Sequence, residues 1–317
     1  MPDPGHIQAL RAWDIDDRIP DRCYQRLFAD PNFPEACREL SSRMLAAAAR
    51  DATLDGISKD LGRYVSAVWA AYLHVTGGLT LPRLKELCAA SRLLSPGRAR
   101  AMLLYLQFLG YVRPTGSQRG EARRYVATPA LMNAFRTQLQ EALEAARLIE
   151  PAVGPVAAAL EDDFILETWL RHQGEGLSVS ARGVDTEAPL IRLLFHRHAG
   201  TQLLHMLLTA SPPDGCFPPK GPAQLSIAAA ARRLHVSRAH IMRVLDDCER
   251  QGWLRRLDDG SILFEEAAAF PLRMTFATRL MGFVICAAKS ALANAELYDA
   301  PLQTRQHPPA TAVLHAT

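Results

Sequence analysis

A chain of 317 residues exceeds one typical compact domain and suits two or three. Its 49% hydrophobic content matches a chain with real cores, and its Ala- and Leu-rich, aromatic-poor makeup points to helices. The net charge of +3 excludes a strongly acidic or uniformly basic chain, so the location of the charge matters more than its sum.

The opening stretch, MPDPGHIQALRAWDIDD, is acidic and broken by proline, unlike a secretory signal. Cys23, Cys37, Cys88, Cys216, Cys248 and Cys286 are scattered, with no CxxC and no close pair, the pattern of buried free thiols in a reducing compartment. The longest apolar stretch, Leu280 to Ala288, is less than half a membrane span, so no membrane partner and a cytoplasmic location are expected.

Residues 1 to about 35 read as irregular, with Pro20, Pro31 and Pro34 interrupting any long helix. Helical pattern runs from Glu35 to Arg50 and from Ile57 to Val75, where Gly77-Gly78 closes the second helix. Leu79 to Pro129 reads as helix, turn, helix, hairpin. A long helix follows from Pro129 to Ile149, with Leu131, Phe135, Leu139, Leu143 and Ala146 on one stripe. Beyond it, AVGPVAAALEDDFILETWL looks helical, RHQGEGLSVSARGVDTEAP loop-like and LIRLLFHRHAGTQLLHMLLTA helical, while SPPDGCFPPKGP reads as a Pro/Gly-rich linker. From Leu225 the order helix, turn, helix, hairpin returns, followed by an apolar helix from Pro271 to Leu297. The last residues have no apolar period and are expected to be disordered.

The resulting organisation is an N-terminal helical and irregular segment (1–56), a first unit with its long following helix (57–150), a helical connector (151–215), a second such unit (216–299) and a tail (300–317).

The two units repeat one another. SPGRARAMLLYLQFLGYVR (Ser95 to Arg113) and SRAHIMRVLDDCERQGWLR (Ser237 to Arg255) share a Ser at the helix start, then Gly, an aromatic, an aliphatic and Arg at the end. Ser95 and Ser237, Gly110 and Gly252, Tyr111 and Trp253, and Arg113 and Arg255 all lie 142 residues apart, as do Pro129 and Pro271 beyond the hairpins. Landmarks this far apart at one offset indicate an internal duplication.

In the second copy, Ile227, Ala230, Ala231 and Leu234 form one apolar face, Val236 faces the core from a short turn, and Ser237 caps the next helix. That helix is expected to bury Ile241, Val244 or Leu245, and Cys248, leaving Arg238, Ala239, His240 and Arg243 outward. Two helices joined by a turn of three or four residues form a helix-turn-helix, whose second helix enters the major groove with its first turns on the base edges. Asp258-Asp259-Gly260 is a good hairpin turn between two short strands.

From Leu225 to Leu254 the pattern L-S-x5-A-x-x-L-x-V-S-R-x-x-I-x-R-x-L-x3-E-x-x-G-W-L, with one position loosely spaced, resembles the winged helix-turn-helix regulators, the broad group of MarR-like and Crp-like DNA-binding domains. The resemblance implies a mainly α fold: two units of three helices plus a β-hairpin wing, joined by long packing helices. It further implies DNA contacts from Ser237, Arg238, His240 and Arg243, with Arg255 and Arg256 near the wing. The acidic wing tip, Asp258-Asp259, departs from that group and should repel phosphate.

In the first copy the corresponding candidates are Ser95, Arg98 and Arg100 on the helix, and Arg113, Arg119, Arg123 and Arg124 on a longer, basic wing. Residues 80–128 hold nine Lys/Arg against two Glu, residues 225–264 seven against five, and residues 137–167 one Arg against seven acids. Basic charge thus gathers on the two units, as phosphate neutralisation requires.

Other chemistries lack a matching constellation. His196 and His198 would lie on different helix faces, so neither they nor His205 read as metal ligands. Ser95 and Ser237 are helix caps without a partnered His/Asp, Glu161 to Asp163 read as an exposed helix start, and Gly174 to Gly183 lacks the context of a phosphate loop. No catalytic residue, cofactor or metal is expected. The expected function is a nucleoid-associated transcriptional regulator of double-stranded DNA, acting as a monomeric pseudo-dimer or a homodimer. A small-molecule effector is allowed for by the apolar stretch His196 to Leu208. The alternatives are a replication initiator on origin repeats and a winged-helix protein-interaction scaffold.

Overall fold

A computed structural model describes residues 4–15, 19–90, 95–116, 122–181 and 191–294. The expected disordered tail, the tip of the first hairpin and Arg119 lie outside the described residues.

The described residues of the N-terminal part are mainly helical: α1 (Pro4–Arg11), α2 (Asp21–Ala29), α3 (Phe33–Arg50), α4 (Ala52–Ile57) and α5 (Leu61–Val75). This corrects the expectation of an irregular start. The prolines stand at helix boundaries, with Pro20 before α2 and Pro34 in the first turn of α3, where the missing N–H costs nothing. The single helix expected from Ile57 to Val75 is also corrected, because Asp60 caps a new helix by accepting from the Arg63 N–H at 2.9 Å. Gly77, at φ +74°, does end α5, and the Gly78 N–H returns to the Leu73 carbonyl at 2.7 Å.

α6 (Leu81–Ala90) and α7 (Pro96–Phe108) lead into the antiparallel strands β1 (Val112–Pro114) and β2 (Tyr125–Ala127), and then α8 (Pro129–Ala146). A 3-10 turn (Pro151–Val153) and α9 (Gly154–Ala159) precede α10 (Asp163–Ala181). α10 runs on through Gly174 and Gly176, so the stretch beginning RHQGEG is helix rather than loop as far as Ala181. Gly174 fits because a Cβ there would collide with the Tyr72 ring at 2.3 Å. A π-helical turn (Ile191–Phe195) and α11 (Gly200–Ala210) follow.

The Pro/Gly-rich stretch after α11 is packed down. The Phe217 ring lies 5.8 Å from Phe33 and 4.8 Å from Phe276, both edge-on. Then come α12 (Ile227–Arg233), α13 (Arg238–Arg250), β3 (Leu254–Arg256) paired antiparallel with β4 (Ile262–Phe264), and α14 (Glu266–Ala293).

The molecule is mainly helical with two small antiparallel sheets of two strands each. α3 packs on α8 and α11, α10 packs on α5 and α14, and α14 also meets α1, α2 and α8. Trp69, Trp169, Phe135 and Phe276 are fully buried in the shared core. α14 is long and apolar enough to cross a membrane, but most of its apolar length is buried within the fold.

Pro271 does not open a helix. α14 begins five residues earlier, and Pro271 sits inside it. The cause is the hairpin: Val112 pairs with Ala127 in the first, but Leu254 pairs with Phe264 in the second, five residues closer. Pro129 and Pro271 therefore share an offset in the sequence but not a place in the fold.

Candidate nucleic-acid interface

The same backbone connections recur in α6–α7–β1–β2 and in α12–α13–β3–β4. The Ser95 hydroxyl accepts from the Arg98 N–H at 3.3 Å, and Ser237 accepts from His240 at 3.1 Å. Gly110 (φ +73°) and Gly252 (φ +69°) turn the chain out of α7 and α13 in the left-handed conformation glycine tolerates. The next residues close both helix ends: Tyr111 N–H donates to the Leu106 carbonyl at 2.8 Å, and Trp253 N–H to that of Cys248 at 3.0 Å. After each hairpin the chain is tied back, Thr128 N–H to the Tyr111 carbonyl at 2.8 Å and Glu265 N–H to the Trp253 carbonyl at 2.9 Å. A residue ahead of each helix pair extends the sheet: Tyr125 N–H donates to the Leu79 carbonyl at 2.9 Å, and Ala223 and Ile262 exchange two bonds of 2.7 and 3.0 Å.

The buried face of α13 is Ile241, Val244, Leu245 and Cys248, as its apolar period requires. Arg238, Ala239 and Arg243 are exposed, with Arg243 Nε donating to the Ala239 carbonyl at 3.3 Å. His240 turns the other way. Its Nε2–H donates to the His198 carbonyl at 2.8 Å, an internal partner for a residue expected to face DNA.

Arg98 in the first unit stays exposed but also has an internal partner, donating to Asp60 Oδ1 at 3.3 Å. Asp60 is buried and also pairs with Arg63, so it anchors two guanidiniums while capping α5. Lys59 beside it is buried, with its ammonium on Asp55 at 2.8 Å, on Gln202 Oε1 at 3.1 Å and on the Leu234 carbonyl at 3.2 Å. The Lys59 carbonyl accepts from the Ala199 N–H at 2.7 Å. Sequence reasoning did not single out Lys59 or Asp60, although an Asp just ahead of an apolar period is a cap signal.

Arg100 remains exposed on α7, but the rest of that face is apolar. Ala101 is exposed, Leu104 is 54% exposed and Phe108 85% exposed, at helical spacing. Periodicity failed to separate this stripe from the buried one because α7 is apolar on two sides.

The hairpins differ in how their cations are engaged. Arg113, Arg123 and Arg124 are exposed and make no ion pair with a described residue, and the Arg123 guanidinium lies 6.0 Å from the Tyr125 ring centroid. In the second hairpin, Arg255 pairs with Glu265, while Arg256 reaches Asp246 at 2.7 Å and Glu249 at 2.9 Å. The Glu249 hydrogen bond raises the Arg256 pKa, and the same contact holds the Glu249 carboxyl below its usual range. Arg255 and Arg256, expected near the wing, thus have carboxylate partners within the protein, with Arg255 still exposed.

No family model, curated protein or solved structure matches this chain. Among the described residues, no three His, Cys, Asp or Glu side chains gather where a metal ion would fit. What the arrangement offers is a set of exposed guanidiniums: Arg100, Arg113, Arg123 and Arg124 in the first unit, Arg238 and Arg243 in the second.

Proposed function

We propose that the chain is a sequence-specific regulator of transcription that binds double-stranded DNA through two non-identical winged helix-turn-helix units, without catalytic activity. The observation that carries this reading is the exposed first half of α13. Arg238 and Arg243, five residues apart, are both exposed in the first half of α13, behind a four-residue turn that ends on the Ser237 cap, the position from which a recognition helix reaches base edges. Arg113, Arg123 and Arg124 supply phosphate neutralisation from the first hairpin. Base reading falls on α13 and backbone attraction on the β1–β2 wing. The two units in one chain act as a pseudo-dimer at an asymmetric site, in the cytoplasm.

A second reading applies to the first unit alone. The exposed Leu104 and Phe108 favour a protein contact over a groove for α7, so this unit acts partly as a docking module.

The test is selection of genomic duplex fragments by the purified chain at two salt concentrations. Salt-sensitive enrichment of one promoter-proximal sequence supports the regulator. Enrichment of an array of repeats would point instead to a replication initiator, and no binding at low salt removes DNA from the function.

A further inference from the structure

Arg279 lies midway along α14, half-buried, between two cavities. Its guanidinium makes no ion pair with a described carboxylate. It donates to His205 Nε2 at 3.3 Å and lies 5.8 Å from the Phe276 ring centroid. Because His205 accepts this bond, its ring is neutral and carries its proton on Nδ1, which has no partner although the residue is buried. A half-buried guanidinium without a carboxylate partner is an open position for an anion.

The smaller cavity, about 80 Å³, has Tyr64, Gln138 and His205 beside Arg279, with Leu54 and Phe195 among its apolar walls. The larger, about 380 Å³, lies between α10 and α14 and also reaches Arg279 and Tyr64; Ile19, Trp169 and Phe283 give it an apolar wall, while His172, paired with Glu175, and Lys289, paired with Asp14, border it as well. Trp169 Nε1 and Gln173 Oε1, on the larger side, and Gln138 Oε1, on the smaller, are buried without partners. Trp169 is 0% and Gln138 5% exposed, so bulk water does not satisfy them. Gly282 faces the larger space, and a Cβ there would meet nothing within 4 Å. A cation with unpaired polar groups around it and an apolar chamber beyond suits a ligand that is anionic at one end and hydrocarbon at the other.

We propose that the space around Arg279 is a binding site for a small organic monocarboxylate, its carboxylate on the Arg279 guanidinium and its hydrocarbon body in the chamber lined by Ile19, Trp169 and Phe283. Asp60, which holds Arg98, also lines the smaller cavity, so occupancy touches the contact that orients α7. That consequence rests on the proposed DNA binding; the site itself does not.

The test is calorimetry on the full chain without DNA, using hexanoate, octanoate and 4-phenylbutyrate beside their methyl esters. The acids should bind, with affinity rising with chain length, and the esters should bind at least tenfold more weakly. Arg279→Met should fold, since a half-buried cation without an ion-pair partner among the described residues is replaced by an apolar side chain, and should lose acid binding on the order of 100-fold. Gly282→Leu, which leaves the guanidinium untouched and fills the chamber, should weaken octanoate at least tenfold. No binding by any acid would mean that the cavities hold only water. That result, equal binding of acids and esters, or full affinity in either variant would overturn the site.

Discussion

Arg98 and His240 occupy the same place in α7 and α13, 142 residues apart, and both side chains turn inward onto one junction. Arg98 reaches Asp60, and His240 reaches the His198 carbonyl, while Lys59 and Ala199 are themselves hydrogen-bonded. Two helix starts are thereby tied together through two peptide segments. The third position of each helix therefore has a partner within the protein.

Asp60 is the centre of this junction, so Asp60→Ala removes a helix cap and leaves Arg63 and Arg98 unpaired in one step. A loss of about 1–3 kcal/mol is expected in denaturant-induced unfolding. Arg98→Ala, which removes one arm from a partly exposed pair, should cost less than about 1 kcal/mol. A larger loss for Arg98→Ala than for Asp60→Ala would place the anchor elsewhere.

The apolar stripe on α7 yields a second expectation. Leu104→Lys and Phe108→Ser lie outside the core and should change stability by no more than about 0.5 kcal/mol. If α7 docks onto protein, both substitutions reduce self-association or partner capture, as read by light scattering. Unchanged association in both variants would leave the stripe without a docking role.

His205 predicts how stability responds to acid. Burial, with Arg279 adding to it, holds its pKa well below the ordinary 6.5. The unfolded chain therefore takes up a proton near pH 6.5 that the folded chain refuses, so stability is full above that pH and falls as pH drops below it. The slope from this site approaches about 1.4 kcal/mol per pH unit. His205→Gln should flatten the fall between pH 6.5 and 5. His74, His172 and His198, shifted in the same direction chiefly by burial, keep part of it. An identical pH profile for His205→Gln would show that His205 already titrates normally in the fold.

Much of the local structure was legible because it depends on near neighbours. Ser95 and Ser237 announce helix starts, Gly110 and Gly252 announce ends, and the period of Ile241, Val244, Leu245 and Cys248 gives the buried face of α13. Pro271 misled for an equally local reason: proline favours a first helical turn, but a hairpin five residues shorter had already started α14. The junction at Lys59 and Asp60 was not legible, since beyond the near neighbours Asp55 and Arg63 its partners lie between 38 and 175 residues away and nothing in spacing signals them. Arg279 stood out in the sequence only as a charge on an apolar helix; packing from α3, α5 and α11 makes it the cation of a cavity. Arg255 and Arg256 read as wing cations because their partners Glu265 and Glu249 are brought close only by the hairpin.

Arg238 and Arg123 separate reading from attraction. Arg238→Ala should cost roughly 1–3 kcal/mol on the preferred sequence and little on random duplex. Arg123→Ala should weaken every sequence alike and reduce the salt slope by about 1.

The decisive experiment is fluorescence anisotropy of a labelled preferred duplex and a scrambled one at 50 and 200 mM salt, with the intact chain and with Arg238→Ala/Arg243→Ala. The intact chain should bind both duplexes in a salt-sensitive way and prefer the first. The double variant should keep the salt sensitivity and lose the preference. Equal weakening on both duplexes would deny α13 a reading role, and an intact chain that binds neither at 50 mM would contradict DNA binding altogether.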